Sequence, residues 1–204
     1  MWYSAEEFGL LGSEAYVASL SAAELARIKA MLNFDMVGSP NFVRFVYDGD
    51  NSAFPPGGAG GVQPGPAGSG EIEALFTEYF NAVGLVSAPT PFNGRSDYGP
   101  FIAEGIPAGG LFTGAEGIKT PAEAATYGGT AGLAYDPCYH LACDTLSNPN
   151  RTAYDQMSDA AAHVTLTLAM RNLDRNPLLD PAAAVGAAAA GAGGGLHTSE
   201  GLSK

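Results

Sequence analysis

The stretch "AMLNFDMVG", residues 30–38, constrains the fold more than any other. Its apolar run is continuous rather than alternating, which is the pattern of a central strand buried on both faces, as in α/β proteins. Asp35 interrupts that run. A lone carboxylate is costly to bury unless it is paired or coordinated. Carboxylates at strand ends commonly serve as ligands in α/β sheets, with a buried salt bridge as the competing reading.

The neighbouring sequence supplies the layers. Residues 4–20 read as a turn and a short helix carrying Tyr16, Val17 and Leu20, and Ser21 with Glu24 forms a capping box for a second helix. "FVRFVYDGD" (42–50) reads as a strand, and "SAFPPGGAGGVQPGPAGSG" (52–70) as a flexible Gly/Pro surface insertion. Ile72, Leu75, Phe76, Tyr79, Phe80 and Val83 recur at helical spacing, with Gly84 as a C-cap. After a loop, "PFNGRSDYGPF", comes a strand-like run, "IPAGGLFTG", and then a long helix over 151–172. Strands alternating with helices indicate an α/β layer fold over residues 1–175. Residues 176–204 read as an Ala/Gly-rich disordered tail.

The formal charge of −12 comes with no Lys/Arg cluster, which argues against nucleic acid or an anionic membrane as a partner. No stretch approaches the roughly 20 apolar residues of a membrane span. The start, "MWY", reads as the end of a strand, so the expectation is that the N-terminal part of the domain lies upstream of Met1.

Several residues carry candidate chemistry. Glu6 and Glu7 are adjacent carboxylates at a turn, where successive side chains diverge and one can bind a metal while the other handles a proton. The bland alternative is an acidic first turn that complements a helix dipole. "DPCYHLACDT" (136–145) places His140 between Cys138 and Cys143, the two cysteines of the chain. A Cys/His zinc site needs four ligands and this loop offers three; the cysteine count and composition favour a disulfide that stiffens the loop and presents His140. Arg95 reads as a substrate contact or as an ion pair with Asp97, and Tyr139 as a hydroxyl donor or a packing aromatic. Asn150–Thr152 satisfies the N-glycosylation pattern. His163 and His197 read as a helix position and a tail position.

Taken together and in order, "SAEEFGLLGSEAYV", "LNFDMVGS", "GRSDYGPFIAEGIPAGGLFTGAE" and "DPCYHLACDT" resemble the co-catalytic double-zinc aminopeptidases, the family of aminopeptidase Y and the secreted actinobacterial aminopeptidases. The resemblance runs from about Trp2 to about Leu173. It implies a three-layer α/β fold with a mixed, mostly parallel sheet flanked by helices, its N-terminal strands missing here. It further implies Glu6 as general base, Glu7 and His140 as ligands of one zinc, and Asp35 as a ligand of the other. By the same resemblance Tyr139 stabilises the tetrahedral intermediate, Arg95 shapes the amino-terminal pocket and Phe112 walls the side-chain pocket. Cys138–Cys143 matches a disulfide of the secreted members, and Asp155 and Asp159 match residues that bind calcium in some of them. The implied substrate is a peptide with a free amino terminus and the implied location is extracellular; a monomer is expected, although the charge balance decides nothing about oligomeric state.

One departure stands out. The family's upstream His-x-Asp motif, whose aspartate bridges both metals, does not occur in this sequence. The expectation is therefore a C-terminal portion that binds zinc poorly and is inactive by itself. Two alternatives accompany it: a non-catalytic interaction module on the peptidase fold, and a glutaminyl-cyclase-like acyltransferase using one zinc.

Overall fold

A computed structural model of the chain describes residues 1–55 and 65–171. Four strands form one sheet in the order β1-β4-β2-β3: β1 (Met31–Phe34), β2 (Phe45–Tyr47), β3 (Ala88–Thr90) and β4 (Ala108–Phe112). β1 runs parallel to β4 and β2 parallel to β3, while β2 and β4 are antiparallel, so the sheet is mixed.

Helices cover both faces. α3 (Ser69–Ala82) and α6 (Arg151–Met170) bury Ile72, Phe76, Phe80, Met157 and Val164 against Val46 and Leu111 of the sheet. On the other side α1 (Leu11–Ser19) and α4 (Gly99–Ala103) bring Val17 and Phe101 together with Ile106, and Tyr3 and Tyr16 pack on them. Tyr47, Phe92 and Tyr98 form an aromatic cluster of their own. α2 (Ala22–Leu25) and α5 (Pro121–Tyr127) each begin with a complete capping box, at Ser21/Glu24 and Thr120/Glu123.

Close approach of β1 and β4 demands glycine. Gly110 pairs with Asn33, and a Cβ there would overlap the Asn33 carbonyl oxygen. That is the physical sense of "AGGLF" in β4.

Three sequence expectations need correction. β1 is not central among the described residues: it lies at the sheet's edge, and Phe34 is 38% exposed. Its faces are only partly covered as well: Met31 and Leu32 are half-buried, and the one buried side chain of the strand is the polar Asn33. The "PFNGRSDYGPF" loop ends inside α4, which Pro100 enters at the first turn. The Gly/Pro insertion does not extend to residue 70: Ser69 is buried at the start of α3, and its Oγ accepts the Ala108 N–H at 3.0 Å. The expected tail, 176–204, lies outside the described residues. Among the described residues no helix is long and apolar enough to cross a membrane.

Candidate active site

Three distant segments converge at the C-terminal end of β1. Glu6 and Glu7 sit on a one-turn 3-10 helix, Glu6–Phe8, entered through Ala5 (φ 58) and left through Gly9 (φ 95). Asp35 follows β1 directly, and His140 comes from the disulfide loop. Five non-glycine residues with positive φ occur among the described residues, and four of them (Ala5, Leu10, Met36 and His140) lie in or beside this groove. Each such residue costs about 1–3 kcal/mol, and such strain collects where geometry serves a site.

His140 Nε2 meets Glu7 Oε1 at 2.7 Å across 133 residues of sequence. The loop that carries it is closed by Cys138–Cys143, with a Cα–Cα distance of 5.3 Å. Asp136 anchors the loop: it is buried, and its Oδ1 accepts the Cys138 N–H at 2.9 Å and the Asn148 Nδ2 at 3.1 Å. Tyr139 stacks on the His140 ring with centroids 3.8 Å apart.

Asp35 is held from behind. Ser96 Oγ donates to Asp35 Oδ2 at 2.7 Å and itself accepts from Asn33 Nδ2 at 3.0 Å. Burial raises the Asp35 carboxyl above its ordinary value; the Ser96 hydrogen bond opposes this, and the charges of Asp97 and Glu7 add to it. Glu6 is pushed up to about 7, first by burial and then by Asp35, Glu7 and Asp97, with His140 opposing. Asp97 Oδ1 is buried without a hydrogen-bond partner. Like-charged carboxylates are thus crowded together, and the nearby guanidinium of Arg95 is committed to Glu116 at 2.6 Å. Such a set calls for a cation.

The donors fit zinc in type, being carboxylates and an imidazole. In number they divide into a pair, Glu7 with His140, and a single group, Asp35. Among the described residues the one trio of potential ligands whose donor atoms all lie within 4.8 Å of one another is elsewhere, at Asp48, Asp50 and Glu73. There Asp48 is a loop clamp, accepting the N–H groups of Ser52, Ala53 and Phe54 at 2.9–3.1 Å.

Two cavities share a wall. One, of about 360 Å³, is lined by Glu6, Glu7, His140 and Asp144. The other, of about 220 Å³, is lined by Phe112, Tyr47, Pro91 and Tyr135. Asp35, Met36, Arg95 and Tyr139 border both. Phe112 stacks on Phe45, whose ring meets Tyr135 edge-on, so the second cavity has a rigid aromatic side. A molecule seated across the shared wall would place an apolar group in one cavity and a polar end among the carboxylates in the other.

A family model, peptidase family M28, matches residues 1–165. The chain belongs to this family. It is 53% identical over 169 residues to an aminopeptidase of Pseudomonas aeruginosa, covering 83% of this chain and 30% of that protein. It is 55% identical over 152 residues to leucine aminopeptidase 2 of Trichophyton equinum, covering 74% of this chain and 29% of that protein. The fold resembles BSAP, a zinc aminopeptidase from Bacillus subtilis, with a TM-score of 0.58 at 24% identity, over 81% of this chain and 34% of that one. The chain thus spans about a third of the length of the curated relatives it matches.

In this M28 chain the structure brings together Glu6, Glu7, Asp35, Arg95, Tyr139 and His140 around one groove, with Phe112 in the adjoining cavity. Asp155 and Asp159 lie elsewhere, one turn apart and exposed on α6. Arg95 pairs with Glu116 rather than with Asp97. Asn150 is the N-cap of α6: its side chain accepts the Ala153 N–H at 3.1 Å, so the glycosylation pattern coincides with a structural cap. Sequence reasoning missed Ser96, Glu116 and Asp136. Their roles come from contacts that local spacing does not encode, although Asp136 precedes the quoted Cys-Tyr-His by a single proline.

Proposed function

We propose that this M28 chain carries the site of a zinc-dependent aminopeptidase, which removes amino-terminal residues from peptides. The observation that carries the proposal is the contact of Glu7 with His140, 2.7 Å across 133 residues, in a groove also lined by Glu6 and Asp35 and joined to an aromatic cavity. Glu7 and His140 would hold one zinc and Asp35 the other. When bound, the metal pair supplies Lewis acidity that polarises the scissile carbonyl and acidifies the attacking water.

The chain's own residues do the remaining work. Glu6, with its carboxyl raised to about 7, is poised near neutral pH to take a proton from water and return it to the leaving amine. Tyr139 stacks on His140 beside the groove and offers its hydroxyl to the developing oxyanion. Arg95, held by Glu116, closes the shared wall, while the carboxylates recognise the ammonium of a free amino terminus. Phe112 and Tyr135 receive an apolar side chain. The disulfide supports an oxidising, extracellular location.

The test compares aminoacyl 4-nitroanilides with their N-acetylated counterparts, using the full-length gene product loaded with zinc. Release from the free-amino substrates alone is expected. Equal release from both, or from neither, would overturn the proposal.

A further inference from the structure

We propose that Asn33 is a positioning residue that aims the hydroxyl hydrogen of Ser96 at Asp35, fixing one oxygen of Asp35 and leaving the other to face the groove. This rests on the reading of Asp35 as a metal ligand.

Asn33 is the third residue of β1 and only 4% exposed, a polar side chain in an otherwise apolar strand. Its backbone is pinned by Gly110, since nothing larger than glycine fits against its carbonyl. Its Nδ2 lies 3.0 Å from Ser96 Oγ, and Ser96, also 4% exposed, lies 2.7 Å from Asp35 Oδ2. Asn33, Ser96 and Asp35 therefore form a hydrogen-bonded line that ends at the groove.

The direction of the hydrogen bonds along this line follows from counting hydrogens. An amide nitrogen only donates, and a serine hydroxyl has one hydrogen. Because Ser96 accepts from Asn33, its single hydrogen is free for Asp35. With the amide turned over, Ser96 would donate to Asn33 instead. Two oxygens would then face each other 2.7 Å apart with no hydrogen between them, unless Asp35 itself were protonated. Asn33 thus keeps the Ser96 hydrogen on Asp35 Oδ2, so that the carboxylate is oriented from behind. Partners that orient a ligand in this way typically change metal affinity by about 10–100-fold when removed.

The test is a double-variant cycle read as zinc affinity by chelator competition on the full-length gene product. Asn33→Leu should weaken zinc binding about tenfold or more when Ser96 is present. In a Ser96→Ala background it should change affinity by less than about twofold. Equal losses in both backgrounds, or no loss with Ser96 intact, would overturn the proposal. Asp35→Ala separates the two readings: if it leaves zinc affinity unchanged, the ligand assignment itself fails. Should Asn33→Leu not fold, the wild-type full-length product still decides the matter by NMR. Its Asn33 side-chain amide signals should exchange slowly and shift on zinc addition, while those of exposed Asn81 stay put. Unshifted Asn33 signals at saturating zinc contradict the proposal.

Discussion

Glu6 and Glu7 are neighbours in sequence, yet the 3-10 turn sends them to different tasks: Glu7 touches His140, while Glu6 is buried enough to keep a raised carboxyl. Glu6→Gln should therefore retain zinc, measured by metal analysis, and lose about 10²–10⁴-fold in turnover. The same shift makes a stability statement. The folded value of about 7 lies above the ordinary 4.5, so the native state favours the protonated form. That contribution to the metal-free chain is complete below pH 4.5 and is lost as pH rises through about 7. Melting temperatures of the metal-free chain between pH 5 and 8 should fall across that window, and Glu6→Gln should flatten the fall. Glu6, Glu7, Asp35 and His140 stand out in the sequence as candidates, but their separate roles there rest on the family resemblance; the structure adds that all four line one groove. Ser96, 61 positions from Asp35, does not stand out, since a serine in a loop carries no signal until the fold brings it to a carboxylate.

At the scale of elements, the loop 136–149 depends on two devices, the disulfide and the buried Asp136. Cys138→Ser with Cys143→Ser should destabilise the loop by about 2 kcal/mol, the chain-entropy value for so short a ring. Zinc affinity should drop with it, while the core around Phe76 and Met157, and hence the far-ultraviolet spectrum, should not change. Gly110→Ala is a harsher change: its Cβ has no room against Asn33, and about 3 kcal/mol should be lost in denaturant unfolding. Helices α3 and α6 were readable from apolar spacing, and α2 from its capping box. The same box at Thr120–Glu123, with Pro121 behind it, marks α5 equally well. β3 left no such mark. It has three residues including Pro89, which suits it to the edge position it occupies and disguises it as a turn.

For the whole molecule, the layered α/β class followed from strand and helix alternation, but the place of β1 did not, because hydrophobicity along a strand says nothing of its lateral partners. Two cavities share Asp35, Met36, Arg95 and Tyr139, and in the proposed function one would take a side chain and the other the charged amino terminus. Enlarging the aromatic cavity with Tyr135→Ala should raise KM for small apolar amino-terminal residues relative to bulky ones, as read from kcat/KM ratios. The central claim is that Glu7 and His140 form a zinc site. Anomalous diffraction at the zinc edge from zinc-soaked crystals tests it most directly. A peak is expected within about 2.0–2.2 Å of both His140 Nε2 and a Glu7 carboxylate oxygen. Zinc found only at the Asp48–Asp50–Glu73 cluster, with none between Glu7 and His140, would contradict it.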